Sequence, residues 1–432
     1  DAGVDRIIMP IINRMPPENS GLRSDHLCAV VKGYPIVLDV SNDPTEKHGI
    51  PLDKPIFHWL DERTRRKQLS DFMGATFGTV PRHVHAALRQ AEAAQNAFSA
   101  RLTEETSRVI ESLGDDEFAV VLAGRPYHSD PLVNHSISRF FVAHGIPVLP
   151  LDGLPGLHEV DHGGIRAEGT INFHVRMLSG AIKVAEHPKL ELVQIVSFGC
   201  GHDAILTDEV IRIMRSASGR EPLILKLDES DADGPIQIRI RSFIETVRAR
   251  RSKVGVVKSV PLGEPFPIKY RRSHRKERVI LVPNVSEAFA KIGSAAIRNE
   301  GYRIEPLPMA DARAIELGKR YVHNDMCFPA QINIGETLRL LESGRYRPDE
   351  VVCGLAKAQC DCRLAHYASL ARKALDEAGF EEVPIVTTDT DGDTKNMHPG
   401  FKLGTRLELR MLWGLAIVDA LEDLRRRSRP YE

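Results

Sequence analysis

Short β-branched runs alternate with longer amphipathic stretches along the chain. The pattern predicts strands over 5–12, 35–40, 117–123, 193–199, 222–227, 278–283, 349–355 and 383–387. It predicts helices over 81–113, 130–145, 171–186, 203–217, 236–251, 286–300, 330–343, 363–379 and 403–425. Phe118-Ala119-Val120-Val121-Leu122 and Val279-Ile280-Leu281-Val282 are near-continuous apolar runs, which suit parallel strands covered on both faces. The alternation predicts an α/β fold of doubly wound units with parallel sheets.

Two seams divide the pattern. The helical stretch 81–113 stops at Gly114-Asp115-Asp116, and 252–276 is rich in Pro, Gly and charge. The predicted parts are a remnant of an upstream α/β domain with a helical arm (1–113), an α/β domain (114–255), and a second α/β domain with a C-terminal helix (275–432). The halves echo each other loosely: a strand, a loop carrying Cys or His, then a helix. The chain opens on Asp1, directly ahead of a core-like strand, so a fragment of a longer fusion is expected.

Composition narrows the function classes. With 58 basic and 59 acidic residues among 432, the net charge of -1 gives no reason to expect nucleic acid as the partner. The basic cluster Lys269–Lys276 reads as a solvated linker, and Arg425-Arg426-Arg427 reads the same way. No apolar run of about 18 residues predicts a membrane span, and no signal-peptide pattern is present. Six cysteines in 432 residues do not make a secreted disulfide framework, so a reducing, cytoplasmic location is expected.

Five of the six cysteines fall in loops beside a strand end or a helix start: Cys28, Cys200, Cys327, Cys360 and Cys362. In an open α/β sheet such loops converge, and converging thiolates suit a metal or iron–sulfur site. Cys200 lies in Ser197-Phe198-Gly199-Cys200-Gly201-His202, between a strand and a helix. His202 reads as a capping residue more than a ligand. Cys327 precedes Pro329 at a helix start. Cys360 and Cys362 share one loop, with Arg363 placed to offset negative charge. Cys28, in Ser24-Asp25-His26-Leu27-Cys28, is read as preceding a short strand. Cys353 lies within a strand and reads as a core residue.

Other motifs fail. Gly124-Arg125-Pro126-Tyr127-His128 follows a strand but is neither a GxGxxG nor a Walker loop. The acidic run Asp228–Gly234 lacks the glutamate of a calcium loop at the twelfth position, where Arg239 stands.

Ser197-Phe198-Gly199-Cys200-Gly201, Asn324-Asp325-Met326-Cys327-Phe328-Pro329 and Cys362-Arg363-Leu364-Ala365-His366-Tyr367 resemble the 2-hydroxyacyl-CoA dehydratase superfamily. The acyl-CoA dehydratase activase-related branch, which includes double-cubane cluster proteins, is the nearest. Gly124-Arg125-Pro126-Tyr127, and Cys28 with Gly33-Tyr34-Pro35, resemble it too. The resemblance implies two or more Rossmann-like domains whose cysteines hold a [4Fe–4S] cluster or a double cubane. It implies Cys28, Cys200, Cys327 and Cys362 as ligands. Cys360 is a candidate substitute, standing where the family has a glycine run, and Cys28-Ala29 replaces the family's Cys-Pro. Arg125 and His128 are expected to line the cleft, near a CoA phosphate or a substrate carbonyl.

The expected function is ATP-driven, low-potential electron transfer. The expected partners are an ATP-dependent activase domain, fused or separate, and an acyl-CoA ester; a homodimer is compatible. An enzyme on this pattern would be an iron–sulfur reductase or a 2-hydroxyacyl-CoA dehydratase-like lyase. The alternative is a non-redox scaffold or docking domain of a larger activase, with structural cysteines or a zinc site.

Overall fold

The computed structural model describes residues 3–227, 233–254, 259–284, 286–358, 360–389 and 397–429. The chain forms two compact units. The first comprises Asp1–Ile165, Gly169–Phe198 and Leu206–Leu262, and the second Arg166–Glu168, Gly199–Ile205 and Gly263–Glu432.

The first unit opens with β1 (Ile7–Ile8), β2 (Ile11–Arg14), α1 (Ala29–Asn42), α2 (Pro44–His48), β3 (Leu52–Asp53) and β4 (Ile56–His58). Pro10 has no N–H to give a ladder, and it splits the predicted strand over 5–12 in two. The two pieces pair in parallel with different partners, β1 with β3 and β2 with β4. Next come α3 (Glu62–Phe77) and α4 (Pro81–Ser112). Pro81 opens α4, where a missing N–H costs nothing.

A parallel sheet follows: β5 (Ala119–Ala123), α5 (Ile137–Val142), β6 (Val148–Pro150), α6 (Asn172–Glu186), β7 (Leu190–Ser197), α7 (Gly201–Ser218), β8 (Leu223–Leu227) and α8 (Asp233–Val254). Its strand order is β6-β5-β7-β8. Parallel neighbours need crossover connections, and the helices supply them. Val120, Val193 and Ile195 of the sheet pack with Ile137 and Phe141 of α5 and with Ile240, Ile244 and Val247 of α8. One charge enters this core. Glu191 on β7 is fully buried and is met by Arg250 and, at 3.6 Å, by Arg220. Burial pushes its carboxyl above the ordinary range.

The second unit repeats the plan. It holds α9 (His274–Glu277), β9 (Val279–Val282), α10 (Glu287–Asn299), β10 (Ile304–Pro306), α11 (Ala312–Tyr321), α12 (Phe328–Glu342), β11 (Val351–Leu355), α13 (Tyr367–Glu377), β12 (Ile385–Thr387) and α14 (Thr405–Ser428). The order β10-β9-β11-β12 is again parallel and again runs second, first, third, fourth. The loose echo in the sequence thus corresponds to a shared strand order. Ile280, Val352 and Val386 of this sheet share a core with Ile297, Tyr302, Phe401 and Leu407. Helices α11 and α12 cross backbone to backbone. A Cβ at Gly335 would collide with the Ala314 carbonyl, and one at Gly318 with the Gln331 carbonyl, so only glycine fits either position.

Several predicted elements need correction. The segment 35–40 is not a strand but the second half of α1, which runs through Pro35. Its β-branched residues lower helix propensity by only tenths of a kcal/mol each, and β2 pairs with β4 instead. Cys28 therefore precedes a helix. The short strands β3, β4, β6 and β10 and the helices α1, α2, α3 and α11 went unpredicted. The helix predicted over 130–145 is regular only in α5. Residues 228–232 of the acidic run lie outside the described residues. The linker cluster Lys269–Lys276 holds the buried Tyr270 and runs into the short helix α9.

Candidate functional site

In both sheets the chain leaves the first strand for one side and later continues on the other. Ligands of open α/β sheets bind outside the carboxyl ends of the strands where this reversal occurs. In the first unit that point lies between β5 and β7, flanked by the loops starting at Gly124 and Phe198. In the second it lies between β9 and β11, and the loop after β11 carries Cys360 and Cys362.

Four cysteines share one local setting. Cys28 is the N-cap of α1, and its carbonyl accepts from Lys32 N–H at 3.0 Å. Cys327 is the N-cap of α12, with its carbonyl on Ala330 N–H at 3.0 Å. Cys200 directly precedes α7, and its carbonyl accepts from Ala204 N–H at 3.1 Å. Cys362 caps the 3-10 turn Arg363–His366 that leads into α13. The first N–H groups of a helix have no partner within it, and the dipole there favours negative charge. Cys28, Cys327 and Cys362 make no side-chain capping bond.

The second unit brings three of these loops together. The Gly201 backbone lies so close to the Arg363 side chain that a Cβ there would collide with it, and that Cβ would sit 3.0 Å from the Asp325 carbonyl. His202 Nε2 lies 3.1 Å from the Asp361 carbonyl. The turns that carry Cys200, Cys327 and Cys362 therefore touch. Tyr367 lies among them, its hydroxyl 3.2 Å from Cys327 Sγ. Burial, with the neighbouring Cys327 thiol, pushes the phenol above its ordinary range, so it keeps its proton. The donor set, soft thiols at helix starts with an O–H and an arginine beside them, fits an iron–sulfur cluster. Among the described residues no three cysteine sulfurs are close enough together to ligate a single ion. Thiolates around a multi-iron cluster stand farther apart than that.

The other cysteines differ. Cys360 turns its thiol onto the carbonyls of Ala358 and Cys362, at 3.4 and 3.9 Å. Burial raises its pKa. Cys353 is 1% exposed within β11, and burial pushes its thiol up to about 12. Reasoning from the sequence missed Tyr367 as a polar neighbour and missed Lys357. The Lys357 ammonium, fully buried just past β11, donates to Glu168 at 2.9 Å.

His366 is fully buried behind the same loop, with Nδ1 accepting the Glu168 N–H at 3.3 Å. Burial, then the charges of His202 and Lys357, push its pKa down to about 3 from 6.5. The imidazole stays neutral in the fold, while the unfolded chain takes up its proton below about pH 6.5. Stability should therefore fall as pH drops from about 6.5 towards 3, with the full contribution present above 6.5. Urea midpoints across that range should show the slope, and His366→Gln should flatten it. An unchanged slope in the variant would remove His366 from the account.

Cys28 belongs to the first unit. Arg125 Nη1 donates to its sulfur at 3.6 Å. The guanidinium is buried and stacks 5.1 Å from the Phe173 ring. His128 Nδ1 accepts the Arg125 N–H at 3.1 Å. That bond fixes the proton on Nε2, which faces Ser197 Oγ at 3.1 Å as a donor. His128 is thus a donor to Ser197 and not its base.

Residues 1–154 match the model of a family described as a CoA enzyme activase uncharacterised domain. The match contains Cys28, Arg125 and His128 and ends ahead of the other cysteines. No curated protein and no solved structure matches the chain. Among the described residues no helix is long and apolar enough to cross a membrane.

Proposed function

We propose that this protein is an iron–sulfur electron carrier of an acyl-CoA dehydratase activation system, built on two Rossmann-like units. Cys200, Cys327 and Cys362 would hold the cluster, with Cys360 in reserve. The sequence resemblance assigns the same role to Cys28, and the iron content of Cys28→Ser decides its share. The observation that carries the reading is the meeting of three thiol-bearing turns around Gly201, Arg363 and Tyr367. The activase-domain match over residues 1–154 supports it independently.

The bound cluster would supply one-electron transfer at low potential. The protein's own groups would set that potential. Tyr367 O–H would donate to a Cys327 thiolate, Arg363 would place positive charge beside Cys362, and the helix starts would add N–H dipoles. An ATP-dependent activase, fused or separate, would deliver the electron. An acyl-CoA ester would be the final acceptor, for a dehydratase-like lyase or a reductase.

Anaerobic reconstitution with iron and sulfide, followed by metal analysis and EPR after reduction, tests this. About four irons per chain with a reduced-cluster signal is the expected result, and about eight would indicate two cubanes. Iron near zero overturns the reading and favours the scaffold alternative with structural cysteines.

A further inference from the structure

Helix α14 of the second unit carries two apolar faces and covers only one of them. Leu407, Met411, Gly414 and Val418 turn inward. Leu407 and Met411 join the core of the second sheet, and a Cβ at Gly414 would come within 2.8 Å of Ile292 on α10. On the opposite face Leu409, Leu412, Trp413, Ile417, Leu421 and Leu424 are between 51% and 70% exposed. Exposed apolar residues normally occur singly, whereas six on one helix face mark an interaction site.

This outer face is symmetric along the helix. Its midpoint is the bond between Ala416 and Ile417. Trp413 and Ala420 are equidistant from that point, as are Leu412 and Leu421, and Leu409 and Leu424. At 3.6 residues per turn these positions fall in one band about half the helix circumference wide, paired evenly about its midline. Two copies of α14 laid antiparallel about a two-fold axis through the midpoint would set leucine on leucine and Trp413 over Ala420, a large side chain into the space above a small one. The charges follow the same symmetry. Arg410 and Asp423 are equidistant from the midpoint on the two edges of the band, so each would meet the other across the axis. Within one chain Arg410 reaches Glu300 at 3.2 Å and Asp423 reaches Arg427 at 2.9 Å, both at the surface. At the ends of the pair Arg406 would come level with Arg427, whose charge Asp423 offsets.

We infer that the outer face of α14 is a self-association surface, on which a second copy of this chain docks as an antiparallel helix pair. Such a two-fold contact uses the same patch on both copies and closes at two. A partner of different sequence would not need the symmetry about Ala416 and Ile417. The matched span 409–424 is about 24 Å long at 1.5 Å per residue and one helix wide. That places it at the small end of specific interfaces, so the Kd should fall between about 1 and 100 μM. The test uses no iron and is independent of the electron-transfer reading.

Analytical ultracentrifugation of the full chain from about 1 to 200 μM decides it. The mass should rise from one chain towards two and stop there. Trp413→Glu should weaken association about tenfold or more, because Trp413 lies near the centre of the band and the symmetry counts the change twice. The side chain is 70% exposed, so the variant should melt close to the parent. Arg410→Asp and Asp423→Arg should each weaken association about threefold or more by setting like charges level with each other. Mixed together, these two variants should form a heterodimer tighter than either makes alone, since each then meets the opposite charge at both edges. Parallel pairing, or association through another face, gives no such recovery. A one-chain mass throughout, growth beyond two chains, undiminished dimerisation of Trp413→Glu, or no recovery in the mixture overturns the assignment.

Discussion

Cys200→Ser should lose nearly all reconstituted iron, falling from about four to below about one per chain, while thermal stability stays close to that of the parent. On the proposed reading Cys200 would be the ligand whose loss is felt most, because its turn is the one against which the other two are built. Gly201 packs on Arg363 and on the Asp325 carbonyl, so the Cys200 sulfur enters from a backbone already fixed by both neighbouring loops. A serine hydroxyl has nearly the same shape but is a hard, poorly ionised ligand, and it gives iron little. Its cost to folding is small because Cys200 is only half-buried. Cys353→Ser gives the opposite contrast. A hydroxyl in the closed interior of β11 should lower stability while iron is retained. Metal analysis and thermal melts on both variants separate the two roles. Full iron in Cys200→Ser would falsify the ligand assignment.

Lys357→Met should cost about 3–5 kcal/mol, the range found when one partner of a buried ion pair is removed. The Lys357 and Glu168 side chains are 0% and 6% exposed, so the remaining carboxylate would be left with little hydration. The pair also anchors the loop after β11. Thr388 Oγ1 holds both the backbone N–H and the carbonyl of Lys357 at 3.0 Å, and Cys360 follows three residues later. Iron uptake should therefore fall along with stability. The double variant Lys357→Met, Glu168→Leu should recover most of the loss, since two matched apolar side chains need no partner. A denaturation-based double-mutant cycle reads the coupling. A cost below about 1 kcal/mol for Lys357→Met would show that the pair is not a tether.

Much of this was legible in the chain. Apolar runs such as those around Val120 and Ile280 specify parallel strands without reference to their neighbours, because burial on both faces leaves no polar period to misread. The strand-to-loop-to-helix order also marked Cys200, Cys327 and Cys362, since a Gly-flanked or Pro-flanked thiol beside a helix start is a local pattern. Cys28 shows the limit. Its loop is expected to lead into a strand over 35–40, and those residues form α1 instead. A β-branched run of this kind is decided by which strand takes the available pairing position, and that is settled at long range.

What the sequence determined alone was local: the α/β alternation, the apolar strands, the helix starts bearing thiols, and a charge balance that gives no reason to expect a polyelectrolyte partner. Tertiary structure decided everything that depends on distant residues meeting. It gave the two sheets the same strand order. It set the Cys200, Cys327 and Cys362 turns against one another, buried Lys357 on Glu168, and left one apolar face of α14 exposed. Glu168 and Lys357 stand 189 positions apart. Periodicity and propensity act over a few residues, while a contact at that separation is fixed only when the sheets order the chain between its ends.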